Sequence, residues 1–191
     1  MTSSLRRAVF FDRDGVLNKA IVRNGKPHPP ADVTEMEIPP TVLPALESVK
    51  ELGLLLIGVS NQPDVARGTT TREAVEAINR RLLDALPLEE ILVCCHDDCD
   101  HCDCRKPKPG LLLQAAEKYG VDLASSFMIG DRWRDVEAGR RAGCKTIWIN
   151  YHYDETWPVA VPDVAVASLT EAVQGVIQSL NEEEVPCPSK P

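Results

Sequence analysis

The sequence predicts an α/β fold, a doubly wound, Rossmann-like parallel sheet with helices on both faces. Three observations predict it. Short apolar runs alternate with stretches of helical periodicity along the chain. The runs are rich in Val, Ile, Leu and Phe, as strands buried on both faces are. Polar residues capable of chemistry follow most of these runs, and parallel sheets bind ligands at the carboxyl ends of their strands.

Residues 8–11 read as the first strand, ending at Asp12. Val42, Leu46, Val49 and Leu52 then recur at helical spacing, Gly53 closes that helix, and residues 54–59 form a second strand ending at Ser60. Thr70 with Glu73 carries a capping-box pattern before Val75, Ile78, Leu82 and Leu86. Residues 91–95 are the third strand, and a cysteine-rich loop follows. Pro109 opens a helix through Leu112 and Ala116 that Gly120 terminates. Residues 127–129 form a strand running into Gly130 and Asp131, and a helix then reaches about Gly143. Residues 146–149 and 164–167 read as two more strands, and 171–180 as the last helix. Residues 1–181 are expected to make one domain, and the acidic, proline-containing stretch 182–191 a disordered tail.

A chain of 191 residues, 43% hydrophobic and 26% charged, suffices for one well-filled core. A net charge of −8, with scattered basic residues, offers nucleic acid no positive stripe. Residues 1–7 hold no signal-like apolar run, and no stretch approaches the roughly 20 apolar residues of a membrane span. A soluble, cytoplasmic monomer is expected, with neither a nucleic acid nor a membrane as partner. Five of the seven cysteines (Cys94, Cys95, Cys99, Cys102, Cys104) crowd into one short loop, a distribution that suits a metal site better than disulfides. Cys144 and Cys187 stand apart.

Four polar clusters follow four strands: Asp12-Arg13-Asp14-Gly15-Val16-Leu17-Asn18, Ser60-Asn61-Gln62, Arg105-Lys106-Pro107-Lys108-Pro109-Gly110, and Gly130-Asp131-Arg132-Trp133-Arg134-Asp135. Each alone is an ordinary turn, cap or helix entry. Together, in this order and each at a strand end, they resemble the four motifs of the haloacid-dehalogenase phosphatases, and the resemblance runs from Ala8 to Ile149.

The chemistry accounts for the residue types. Phosphate-monoester hydrolysis is very slow without catalysis, and an enzyme nucleophile splits it into two easier steps. Asp12 is expected to be that nucleophile, and Asp14, two positions on, the general acid and base. Two anions facing a phosphate dianion require positive charge, and a hard cation with oxygen ligands suits magnesium. The resemblance implies Asp12, the backbone carbonyl of Asp14 and Asp131 as its ligands. Asp135, one turn beyond, is expected to reach the metal through water or to orient Lys106. Ser60 and Lys106 are expected to hold the phosphoryl oxygens. Arg13, Asn61, Gln62, Arg105 and Arg132 complete the set expected to bind substrate.

In the cysteine loop, Cys94 with His96 and Cys102 with Cys104 are pairs of alternating residues, and each pair shares a face of an extended chain. Together they offer four ligands to one tetrahedral, structural zinc. His101 or Cys99 remains an alternative member of the four. The Cys-x-His and Cys-x-Cys pattern resembles the loop of heptose-bisphosphate phosphatases and of the phosphatase domain of bifunctional histidine-biosynthesis enzymes. Such a zinc would fix the loop that presents Arg105 and Lys106.

About 45 residues separate the first and second clusters, and about 45 the second and third; core elements use much of both gaps. No large cap domain fits, so substrate contacts fall to short loops at 19–40 and 63–69; His28 is read as a solvent-exposed loop side chain. The resemblance implies removal of the C7 phosphate of D-glycero-D-manno-heptose 1,7-bisphosphate. Histidinol phosphate or another sugar phosphate is the alternative substrate. Arg132 stands where the heptose enzymes usually carry lysine, and Pro63 and Asp64 where they carry small residues. A reading from a different class is a catalytically silent, zinc-stabilised interaction protein. Retention of Asp12, Asp14, Ser60, Lys106 and Asp131 argues against that reading.

Overall fold

The computed structural model of the protein describes residues 5–157 and 161–184. Its elements are β1 (Ala8–Phe11), β2 (Ile21–Arg23), β3 (Lys26–His28), α1 (Val42–Lys50), β4 (Leu55–Asn61), α2 (Arg72–Ala85), β5 (Glu90–Cys94), α3 (Gly110–Tyr119), β6 (Phe127–Gly130), α4 (Trp133–Ala142), β7 (Lys145–Ile149), β8 (Val164–Val166) and α5 (Leu169–Glu184). Six strands form one parallel sheet in the order β5-β4-β1-β6-β7-β8. β1 is central, with Ala8 opposite Leu55 on one side and Val9 opposite Phe127 on the other.

The two-residue period of the strands builds two cores. Val9, Phe11, Leu56 and Ile129 face α1, α2 and α5 through Leu46, Val49, Ile78, Leu82, Val173 and Val176. Ala8, Phe10, Leu55, Ile57 and Met128 face α3 and α4 through Leu111, Leu112, Ala115 and Ala138. Every residue of β1 is buried, which is why that strand reads as a continuous apolar run. None of the described helices is long and apolar enough to cross a membrane.

Several expectations are corrected. The cap of α2 is Thr71, whose side chain accepts from the Ala74 amide, one residue later than the Thr70 pattern implies. The stretch expected to be a plain loop after β1 contains an antiparallel hairpin, β2–β3, turning at Asn24 and Gly25, both at positive φ. Its turn is tied to the 150s, where the Asp154 amide donates to the Gly25 carbonyl at 2.8 Å. The last helix continues to Glu184, so Glu182 belongs to α5 and not to a tail; residues 185–191 of the expected tail lie outside the described residues. No cap domain intervenes between the motif-bearing strands.

Candidate active site

The carboxyl ends of β1, β4 and β6 meet at one point. The Asp12 amide donates to the Ile129 carbonyl at 2.9 Å, setting the end of β1 beside that of β6. The chain then turns sharply, with the Leu17 and Asn18 amides donating back to the Arg13 carbonyl. Gly15 makes this turn at φ +101°, and a Cβ there would lie 1.8 Å from Asp131 Oδ2. Only glycine lets the loop close over that carboxylate. Gly130 meets the same demand from Asp135, whose Cβ would stand 2.1 Å from any side chain at that position.

Asp12, Asp131 and Asp135 are buried, and one oxygen from each lies within 4.8 Å of the others. Lys106, 2% exposed, reaches them from the loop after β5. Its Nζ donates to Asp12 Oδ1 at 2.7 Å and to the Val59 carbonyl at 2.8 Å, and lies 2.6 Å from Asp135 Oδ1. The other oxygen of Asp135 accepts from the Arg132 amide at 3.0 Å and caps α4. Both Asp135 oxygens are therefore engaged, which supports its expected role of orienting Lys106. Asp131 is the opposite case: neither of its buried oxygens meets a donor in full hydrogen-bond geometry, and the Tyr153 hydroxyl is the polar side chain that interacts with it.

Three buried carboxylates against one ammonium make an electrostatically unbalanced centre. Burial first, and then the charge of Asp135, lift Asp12 to a pKa of about 6 against the opposing pull of Lys106. Burial, followed by Asp12 and Asp135, holds Asp131 well above the usual carboxylate range. For Lys106, burial works downward, but Asp12 and Asp135 outweigh it and keep the ammonium charged. A hard divalent cation touching Asp12 and the unpartnered Asp131 would supply the missing positive charge, so the donor set fits magnesium.

Asp14 lines the cavity beside Asp12. It accepts from Arg13 Nη2 at 3.0 Å, Asn18 Nδ2 at 3.0 Å and Gln62 Nε2 at 2.6 Å. Gln62 Nε2 also donates to Ser60 Oγ at 2.8 Å. Arg13, expected to touch substrate, is fully buried and shares its guanidinium between Asp14 and Asn79 of α2. It positions Asp14. Asn61 grips the main chain of Lys106 with both ends of its amide, donating to the carbonyl at 2.9 Å and accepting from the amide at 3.0 Å.

The cavity over Asp12 has a volume of about 60 Å³ and is bordered by Asn61, Lys106, Arg132, Arg134, His28 and the prolines around His28. His28 is exposed, as expected, but it ends strand β3 instead of lying in a loop, and the hairpin carries it to the rim of this cavity. Arg132 is held by Glu155. Arg105 borders a neighbouring hollow of about 200 Å³ with Asp98, His101 and Lys108, and does not line the cavity over Asp12. Arg134, one turn into α4, is a cavity residue the sequence reading misses.

Cys94, His96, Cys102 and Cys104 converge as expected. Their closest contacts are 3.1 Å for Cys94–Cys104, 3.3 Å for His96–Cys104, 3.5 Å for Cys94–His96 and Cys102–Cys104, and 3.6 Å for Cys94–Cys102. Zinc bonds of about 2.3 Å to sulfur and 2.0 Å to nitrogen place tetrahedral ligand atoms roughly 3.5 to 3.8 Å apart, so the set fits zinc. Cys99 is exposed, and neither it nor His101 belongs to the cluster.

Residues 103–172 match the family model described as HAD-hydrolase-like. The D-glycero-β-D-manno-heptose-1,7-bisphosphate 7-phosphatase of Pasteurella multocida is 36% identical over 152 residues, which are 74% of this chain and 79% of that protein. This chain belongs to that phosphatase family. The family member from Escherichia coli is 34% identical over 151 residues, 73% of this chain and 76% of its own length. Among solved structures, the D,D-heptose 1,7-bisphosphate phosphatase of B. bronchiseptica, complexed with magnesium and phosphate, superposes with a TM-score of 0.75 at 26% identity, covering 91% of this chain and 99% of that one. The order of the four clusters and the small size without a cap are thus those of an HAD phosphatase.

Proposed function

We propose that the protein is a magnesium-dependent phosphomonoesterase that removes the C7 phosphate of D-glycero-β-D-manno-heptose 1,7-bisphosphate through an aspartyl-phosphate on Asp12. The supporting observation is the contact of Lys106 with Asp12, next to an Asp131 whose two buried oxygens lack partners. Magnesium, held by the Asp12 and Asp131 carboxylates and the Asp14 carbonyl, would supply the charge that lets a carboxylate approach a phosphate dianion. An oxygen of Asp12 attacks phosphorus, the bond to the sugar oxygen breaks, and Asp14 gives that oxygen a proton. Water then attacks the phosphoryl group while Asp14 takes its proton, which releases inorganic phosphate and restores Asp12. Lys106 neutralises the phosphoryl oxygens. Ser60 Oγ accepts from Gln62, which leaves its own hydroxyl proton to donate to them.

Zinc in the cluster of Cys94, His96, Cys102 and Cys104 would be structural, closing four ligand positions and fixing the loop that carries Lys106. The rim arginines, Arg132 and Arg134, favour a substrate with a second anionic group. Histidinol phosphate would bring an ammonium to the same rim, and like charges disfavour it. A silent binding module has no use for a buried acid cluster with a charged lysine at its centre. The test is phosphate release from an aryl phosphate and from a panel of heptose, hexose and histidinol phosphates. Magnesium-dependent turnover abolished by EDTA and by Asp12→Asn, with the heptose bisphosphate the best substrate, is expected. Undiminished turnover in Asp12→Asn would exclude the covalent route, and a better rate with histidinol phosphate would exclude the heptose.

A further inference from the structure

The exposed end of the zinc loop carries two adjacent acids whose partners differ. Asp97 is gripped by Arg67, from Nε at 2.8 Å and Nη2 at 2.6 Å, and its carboxylate caps the short turn at Asp98–Asp100. The Asp98 amide is the group so capped, at 2.8 Å from Asp97 Oδ1, but the Asp98 carboxylate takes no part. Its Oδ1 instead accepts from Arg105 Nε at 2.8 Å and from Arg134 Nη1 at 3.3 Å, so one carboxylate oxygen lies between two guanidinium groups from different elements. The Asp98 side chain is 62% exposed and free to swing outward, whereas Arg105 is 10% exposed and fixed. Arg105 also has a buried Nη1 without a partner. Arg134 borders the cavity over Asp12, and Arg105 directly precedes Lys106. The pair therefore bridges the cavity over Asp12, bordered by Arg134, and the adjoining hollow, bordered by Arg105 and Asp98, and its cationic capacity exceeds what a single oxygen of Asp98 uses.

We propose that Asp98 is an internal stand-in for the substrate's second phosphate, occupying the Arg105–Arg134 pair in the free enzyme and yielding it when a bisphosphate binds. The inference rests on the bisphosphatase reading given above. A phosphate offers more oxygens than a carboxylate and satisfies two guanidinium groups at once, including the orphaned Nη1 of Arg105. Asp98 therefore loses the competition against a bisphosphate but weakens its binding. The gain lies in release: the product of C7 hydrolysis keeps its second phosphate, and a tethered carboxylate ready to reclaim the arginines shortens its stay. Asp98 is thus a specificity-determining residue that touches neither the reacting phosphorus nor Asp12.

The test compares glucose 1,6-bisphosphate with glucose 6-phosphate as inhibitors of aryl-phosphate hydrolysis, in wild type, Asp98→Asn and Asp98→Glu, with zinc content measured on each protein. In Asp98→Asn the inhibition constant of the bisphosphate should fall about tenfold, a shift of about 1.4 kcal/mol, while that of the monophosphate changes less than twofold. Asp98→Glu, which keeps the charge, should retain the wild-type ratio. An unchanged ratio in Asp98→Asn, or weaker bisphosphate binding, overturns the proposal; the latter would mean that Asp98 only props up the arginines. These inhibitors report on the second-anion site without the natural substrate. A shifted ratio in an enzyme inactive on heptose bisphosphate would therefore sink the substrate assignment while the Asp98 competition stands.

Discussion

Lys106 Nζ lies 2.6 Å from Asp135 Oδ1, and both side chains are 2% exposed. On the proposed reading this contact is what Asp135 contributes, its other oxygen being committed to the Arg132 amide. Asp135→Asn should leave the fold intact and lower kcat by about 10- to 100-fold, the usual cost of losing a group that orients a catalytic one. The magnesium dependence of the residual rate should change far less. A steady-state titration of magnesium in the variant checks this, and a large loss of metal affinity with an unchanged maximal rate would return Asp135 to the ligand set.

The acid cluster predicts a pH response of unusual sign. Asp12 is raised from 3.8 to about 6 in the folded protein. Between those values the folded state keeps a proton that the unfolded state has released, so raising the pH through that window removes stability, by up to about 3 kcal/mol. Metal-free wild type should therefore lose stability relative to Asp12→Asn as the pH rises from 4 to 7. Saturating magnesium should abolish or reverse the difference, and magnesium affinity should weaken as the pH falls below about 6. Denaturant melts of both proteins, with and without the ion, measure it.

A zinc in the cysteine loop would act on catalysis through placement alone. Cys102→Ser or Cys104→Ser should cost the zinc and about a hundredfold in rate, since displacements near 1 Å carry that penalty, with magnesium binding at Asp12 and Asp131 nearly normal. Cys99 is exposed with its sulfur outside the cluster, and Cys99→Ser should keep one zinc per chain and full activity. Elemental analysis beside kinetics decides between this ligand set and one that includes Cys99.

Arg13 offers a fourth test. It is fully buried, and its charge is met by Asp14 while Nη1 meets Asn79. Arg13→Met keeps much of the volume but leaves Asp14 without its cation and Asn79 without its donor. The expected cost is about 3 kcal/mol of stability together with a loss of activity. Were Arg13 a substrate contact, the variant would fold normally and show only a raised KM, so chemical denaturation and kinetics on one preparation separate the two roles.

Most of the sheet is legible in the sequence because its strands are short, wholly apolar and followed by polar clusters; Ala8–Phe11 with Asp12 is the plainest case. The four zinc ligands are legible for a related reason, since alternation on extended chain is local geometry. What escapes is set by distance or by conflicting local signals. The Asn24-Gly25 pair is a strong hairpin signal, but Pro27, Pro29 and Pro30 around it argue for irregular chain. Arg13 looks like a ligand contact because it lies between two catalytic aspartates, and only its pairing with Asn79, 66 residues away, shows that it points inward. Arg134 sits on a polar helical turn that reads as solvated surface until Asp98 is brought beside it.

The central position of β1 has a consequence for how the molecule comes into being. Asp12 is made early, yet its neighbour Asp131 follows more than a hundred residues later, on the far edge of the strand pair β1–β6. An emerging chain can pair β1 with β4 long before β6 leaves the ribosome, and during that interval Asp12 sits at an open sheet edge in contact with water. The repulsive knot of acids is tied only when β6 and α4 arrive beside β1, with β7, β8 and α5 still to follow. Until Asp131 and Asp135 emerge, a nascent chain of this kind holds no acid cluster around Asp12, so the first half of the protein cannot gather the site's carboxylates by itself.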